Sequence, residues 1–242
     1  MSFIAAVVFD LDDTLYPERE YAFSGFAAVA RAFADKLGDP ARAEADMRRL
    51  FETEHRPRVF NAIVAERGRC DAAALVPRMV EVYRSHRPAI HLHSDADGLL
   101  FRLRANYKLG LITDGGAITQ WAKIGALNLR CRLDEIIVTS ELVSVGRGQV
   151  DMVPSASVLS TAFAKPHPRA FELIAERLGV AAGECCYVAD NPTKDFVAPN
   201  VLGWLSVRVC RRDGIYNEAV VAPGGQPQHR IDSLDALDML LG

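Results

Sequence analysis

The chain has 242 residues, half of them hydrophobic, with 31 acidic against 28 Lys and Arg side chains and a net charge of -3. That length accommodates one full core and a smaller satellite, and the charge balance argues for neither the basic stripe of a nucleic-acid binder nor an acidic disordered tail. No apolar window reaches the roughly 18 residues of a membrane span. The opening MSFIAAVVFD meets an aspartate without a preceding basic segment, unlike a secretory leader, so a cytoplasmic location without membrane or nucleic-acid partners is expected.

The first element in chain order is IAAVVF (4 to 9), an apolar run without alternation that ends in DLDDT. Residues 17 to 87 hold no convincing strand but several helical patterns, among them YAFSGFAAVARAFADKLG and ARAEADMRRLFETEH, which predicts a helical insertion directly after the acidic motif. Beyond it, helix-like segments at 94 to 106 (Ser94 at the cap), 116 to 127 and 168 to 179 (Pro168 at the start, Gly179 at the end) alternate with apolar runs at 109 to 113, 135 to 139, 185 to 189 and 204 to 209. Short Val- and Ile-rich runs separated by helices predict an α/β fold with a parallel sheet covered on both faces. The domains expected are a core of 1–15 and 88–242 and a helical cap of 16–87. Residues 142 to 164 have weak periodicity, and connections of this length are functional, folded as hairpins or mobile. The five cysteines show no CxxC spacing and read as reduced core thiols.

Ligands of parallel sheets bind beyond the carboxyl ends of strands, and four such places carry polar residues. They are Asp10, Asp12 and Thr14 in DxDxT, Thr113 in ITDGG, Lys165 in AKPHP, and Asp190 with Asp195 in ADNPTKD. Singly, each has an ordinary reading as a turn residue, a helix cap or a solvated lysine. Together, in this order and polarity, they resemble the haloacid dehalogenase (HAD) superfamily, in a phosphatase-like branch; KPHPRAFELI and RRDGIYNE extend the likeness.

The resemblance implies a Rossmann-like core with a helical cap inserted after the first motif, and a Mg²⁺-dependent phosphatase of a small phosphorylated metabolite. It assigns Asp10 as nucleophile, Asp12 as general acid and base, and Lys165 as the balancing cation oriented by Asp195. Thr113 and the backbone N–H of Asp114 would hold phosphate oxygens at a helix start. Asp10, Asp190 and the backbone carbonyl of Asp12 would ligate Mg²⁺, a hard cation that prefers oxygen. Thr14 braces the first loop, while Asp13 reads as a solvated turn residue. Tyr16, Glu18, Arg19, Tyr21 and Arg56 are candidate contacts at the cap. Two departures stand out: Asp114 where many relatives have Asn, and a longer segment between Glu141 and Lys165. The alternatives are a 2-haloacid dehalogenase, a phosphomutase and a catalytically silent binding protein. The protein is expected to be a monomer or a homodimer.

Overall fold

The computed structural model describes residues 3–53, 56–68, 71–146, 149–152 and 161–241. The chain divides into two compact units, Met1–Pro17 with His91–Gly242, and Glu18–Ile90. His55, Cys70 and the side chain of Arg56 lie outside the described residues.

The first unit is built on a six-stranded sheet. Its strands are β1 (Ala6–Phe9), β2 (Lys108–Thr113), β3 (Glu135–Val138), β6 (Cys185–Ala189), β7 (Leu205–Val209) and β8 (His229–Ile231); between β3 and β6 come β4 (Leu142–Gly146) and β5 (Gln149–Met152). The order is β3-β2-β1-β6-β7-β8, and all five pairings are parallel. Every residue of β1 and β6 is buried, as strands covered on both faces require. The parallel α/β sheet expected from the apolar runs, and the Rossmann-like core that the resemblance implies, are therefore present. The three-residue β8 was not anticipated, because HRI has no apolar run to announce it. β4 and β5 pair as an antiparallel hairpin, Leu142 opposite Met152, within the segment of weak periodicity; residues 153–160 of that segment lie outside the described residues.

The second unit contains α1 (Glu18–Ala32), α2 (Ala34–Leu37), α3 (Pro40–Phe51), α4 (Val59–Arg67) and α5 (Ala72–Ser85). Asp39 caps α3 by accepting from the Arg42 N–H at 2.9 Å, ahead of Pro40 in the first turn, and Asp71 caps α5 through the Ala73 N–H. These caps satisfy amide groups the helices leave free. Phe26, Val29, Met47, Ile63 and Met79 form its own apolar core. The unit boundaries fall at 17/18 and 90/91, where the sequence reading has 15/16 and 87/88: residues 16–17 go with the sheet, whose flanks are joined by the His93 N–H donating to the Leu15 carbonyl at 2.9 Å, and residues 88–90 go with the helices, the Ala89 N–H donating to the Ser24 hydroxyl at 2.8 Å.

The core unit adds α6 (Ser94–Leu103), α7 (Ala117–Ala126), α8 (Arg169–Leu178), α9 (Val197–Val201) and α10 (Asp238–Leu241). Ser94 is the first residue of α6, with His93 in the cap position. From α8, Phe171 meets Tyr187 and Trp204 edge to face, with ring centroids 4.9 and 5.6 Å apart. Phe171→Ala is expected to cost about 3–5 kcal/mol through lost burial and a cavity, read as a lower midpoint in urea unfolding. Cys185 and Cys186 are buried in β6, and Cys131 is exposed, so the core-thiol reading holds only in part. Among the described residues no helix is long and apolar enough to cross a membrane.

The junction after the helical unit has its own pH dependence. Burial and the Arg211 charge hold His93 down to about 4, against the pull of Asp95. As pH falls, the unfolded chain takes up this proton first, near the ordinary histidine value of about 6.5, so stability drops between about pH 6.5 and pH 4. Asp95 acts lower still. Burial opposes its charge, but the Arg211 ion pair at 2.6 Å and hydrogen bonds from Ser233 and Leu234 outweigh it and hold it at about 2. Its stabilisation is present above about pH 3.9 and is lost as pH falls through about 2. His93→Gln is expected to remove roughly 1–2 kcal/mol of the loss between pH 7 and pH 4.5, partial exposure reducing the full effect. Urea titrations of both proteins at the two pH values test it; parallel losses would assign the slope to other groups.

Candidate active site

Polar residues crowd the carboxyl end of the sheet, around β1, where the strand order reverses. Such a switch point is where open α/β sheets bind ligands. Asp10 follows β1 directly and is only 7 % exposed. Its Oδ1 accepts from Lys165 Nζ at 2.6 Å. The same ammonium pairs with Asp195 at 2.8 Å and donates to the Tyr187 hydroxyl at 3.0 Å. Despite the length of the segment before it, Lys165 is therefore held inside the site by three side chains. Burial works against its charge, but Asp10 and Asp195 outweigh it and hold the ammonium well above the ordinary lysine range.

Asp10, Asp190 and Asp195 each offer an oxygen within 4.8 Å of the others, and all three are buried. One buried ammonium thus faces three carboxylates. Burial pushes Asp10 up to about 7; Asp195 and Asp12 add to this, while Lys165 and Lys194 pull it back. Burial, then Asp10, Asp195 and Asp13, push Asp190 well above the carboxylate range. Its Oδ2 is buried with no hydrogen-bond partner among the described residues. An unpartnered anionic oxygen among other acids is costly unless a cation satisfies it, and an all-oxygen donor set suits a hard divalent ion such as Mg²⁺. The residues present therefore fit the metal expected.

Asp12 faces the other way from this cluster. Its Oδ1 pairs with Lys123 Nζ at 2.6 Å and also accepts the Tyr16 hydroxyl. Its Oδ2 accepts from Gln120 Nε2 at 3.1 Å. Burial would raise its pKa, but Lys123 and these hydrogen bonds hold it below the usual range. The expected metal contact of Asp12 concerned its backbone carbonyl, on which this side-chain arrangement does not bear.

Thr113 ends β2 and is fully buried, its Oγ1 accepting from Gln120 Nε2 at 2.6 Å. Gly115 follows at φ 114°, a turn that side chains resist. α7 then begins with no side-chain cap, which leaves its first amides for an anion. Asp114, the departure from the family pattern, has its charge compensated. Its carboxylate accepts from Lys194 Nζ at 2.5 Å, the Thr139 hydroxyl at 2.8 Å and the Lys165 N–H at 3.2 Å. Burial alone would raise it, but Lys165, Lys194 and these bonds keep it low.

The C-terminal segment braces the site from behind. Arg208 in β7 is 4 % exposed and donates to the Asp190 carbonyl at 3.0 Å and the Tyr216 carbonyl at 2.7 Å. Arg211 donates to the Thr14 carbonyl at 2.8 Å. The reading of Asp13 as a solvated turn residue is wrong. It is 5 % exposed at φ 52° and accepts the Ile215 N–H at 3.0 Å, so it ties the first loop to this segment. Thr14 contributes its carbonyl, whereas its buried hydroxyl has no hydrogen-bond partner among the described residues. Of the suggested contacts at the cap, Tyr16 lies in the core unit against Asp12, and Tyr21 spends its hydroxyl on the Tyr83 carbonyl.

Residues 4–203 match the family model for haloacid dehalogenase-like hydrolases. The chain belongs to that family. Within the HAD-like hydrolases, it is similar to proteins named glyceraldehyde 3-phosphate phosphatase: one from Methanopyrus kandleri, 28% identical over 216 residues (86% of this chain, 84% of that protein), and one from Methanocaldococcus jannaschii, 27% identical over 225 residues (86% of each). Its fold resembles the HAD-hydrolase YfnB from Bacillus subtilis, solved bound to magnesium (TM-score 0.64, 19% identity, all of both chains), and a HAD phosphatase from Thermococcus onnurineus (TM-score 0.59, 23% identity, 99% of this chain and 98% of that one). The HAD motifs named from the sequence thus sit on an established HAD-like hydrolase fold.

Proposed function

We propose that the protein is a Mg²⁺-dependent phosphatase that hydrolyses a small phosphorylated metabolite through an aspartyl phosphate on Asp10. The observation that carries this reading is the buried Asp10, held by Lys165 at 2.6 Å and within 4.8 Å of the unsatisfied acid Asp190. The phosphatase-named relatives support it, and their names make glyceraldehyde 3-phosphate the first substrate to try.

In this reading Asp10 attacks phosphorus and the ester P–O bond breaks, while Asp12, ionised beside Lys123 at rest, passes a proton from the substrate's phosphate monoanion to the departing oxygen. Asp12 then takes a proton from the water that releases phosphate from Asp10 and sheds it to solvent. Lys165 offsets the charge of nucleophile and phosphate as they approach, and Asp195 with Tyr187 orients it. Thr113 and the first amides of α7 hold phosphate oxygens. When bound by Asp10, Asp190 and the Asp12 carbonyl, Mg²⁺ supplies charge neutralisation at the transferred group. The helical unit Glu18–Ile90, inserted straight after the nucleophile loop, selects the leaving group.

The test is phosphate release from triose and sugar phosphates, phosphoglycolate, nucleotides and acyl phosphates, with and without Mg²⁺. Metal-dependent turnover supports the reading. Chloride release from 2-haloacids without metal would favour the dehalogenase, for which a buried, unpartnered Asp190 has no task. An isomeric sugar phosphate in place of free phosphate would indicate a mutase. Ligand-induced thermal stabilisation without turnover across the panel would leave the silent binding protein.

A further inference from the structure

Lys123 is a charged residue on the inner face of a helix, and burying an ammonium is costly without a partner. It lies in α7 beside Gln120 and Ile124, is 5 % exposed, and places its ammonium 2.6 Å from Asp12 Oδ1. The two oxygens of Asp12 are treated unequally. Oδ1 receives both Lys123 and the hydroxyl of the fully buried Tyr16. Among the described residues Oδ2 receives only Gln120 Nε2, at 3.1 Å, and that amide has two closer acceptors, the Asp114 carbonyl at 2.5 Å and Thr113 Oγ1 at 2.6 Å. An amide nitrogen has two hydrogens to give, so Oδ2 holds the weakest share.

We infer that Lys123 is a positioning residue which, with Tyr16, pins Asp12 through Oδ1 and leaves Oδ2 as the oxygen that exchanges the proton. The inference rests on the proposed phosphatase reading. An unpinned carboxyl swaps its oxygens by rotation about its last bond, whereas a general acid needs one oxygen held within hydrogen-bond reach of the departing atom. In the first half-reaction the bond from Asp10 to phosphorus forms, the ester P–O bond breaks, and Oδ2 passes a proton from the substrate's phosphate monoanion to the leaving oxygen. In the second, water oxygen bonds to phosphorus, the bond to Asp10 breaks, and Oδ2 takes a proton from that water and sheds it to solvent. Lys123 touches neither substrate nor phosphorus in these steps.

The test uses substrates that differ in their need for an acid. kcat/KM is measured for glyceraldehyde 3-phosphate, whose alkoxide needs a proton, and for p-nitrophenyl phosphate, whose phenolate leaves without one. Lys123→Met is expected to lower the first about 10²-fold and the second less than about 5-fold, matching Asp12→Asn in pattern. The double variant should be no slower than Asp12→Asn alone, since the two act as one unit. Tyr16→Phe keeps the ring, removes the second donor to Oδ1, and should show the same selectivity at about 10-fold; it serves if Lys123→Met does not fold. Equal losses on both substrates, or additive losses in the double variant, overturn the positioning role while an active wild type and an inactive Asp10→Asn uphold the phosphatase. Wild-type silence on both esters overturns the phosphatase reading and the positioning role with it.

Discussion

Asp10→Asn is expected to lower phosphate release by roughly 10⁴-fold or more, the scale seen when a covalent nucleophile is removed. An amide cannot form the aspartyl phosphate, and the neighbouring carboxylates have other tasks, Asp190 holding the metal in the proposed reading. Asp195 pairs with Lys165 at 2.8 Å, and Asp12 is tied to Lys123 at 2.6 Å. The fold should persist, because Lys165 keeps Asp195 and the Tyr187 hydroxyl, and one fewer acid crowds the cluster. Inactivity combined with an unfolding midpoint within a few degrees of wild type is therefore the expected pair of results. More than a tenth of wild-type turnover would remove Asp10 from the role of nucleophile.

Asp190→Asn should separate two effects that usually move together. Without metal, the variant is expected to be more stable than wild type by about 1–3 kcal/mol, since a neutral amide replaces a buried oxygen that has no partner and repels two other acids. With metal the order reverses. Wild type should gain about 2.7 kcal/mol at Mg²⁺ a hundred times its Kd, whereas the variant should gain little and lose its metal-dependent turnover. Thermal melts with EDTA and with a Mg²⁺ series read both arms. A variant that is less stable without metal would contradict the charge-crowding account, and one still stabilised by Mg²⁺ would show the ion bound elsewhere.

Much of this architecture is legible in local pattern. Continuous apolar runs locate five of the six strands of the main sheet, and Asp10, Thr113 and Asp190 stand where those runs stop. The residues that escaped notice, Lys123, Gln120, Lys194, Tyr187 and Arg208, act through contacts between elements far apart in the chain, which local pattern does not encode. Two had a signal. Gln120 and Lys123 occupy the same helical face as Ala117, Ile124 and Leu127, all buried, so polar residues at core spacing pointed to a partner inside. Arg208 interrupts the apolar strand LSVRV, and a charge within a covered strand needs acceptors. Asp13 misled because an acid beside a turn is commonly solvated; only its burial and its bond to Ile215, 202 positions away, correct that reading. The compensation of Asp114 likewise depends on Lys194, 80 positions away.

The hydrogen bond from the His93 N–H to the Leu15 carbonyl closes the core unit across the point where 73 residues, Glu18–Ile90, leave and return. An insertion sealed at its neck behaves as a cassette: its length and sequence can drift while strand register and the acidic cluster stay as they are. In the proposed reading, selection on substrate range and selection on reaction chemistry act on separate stretches of the chain. A library confined to positions 18–90 would then be the economical route to new specificities on an unchanged reactive centre.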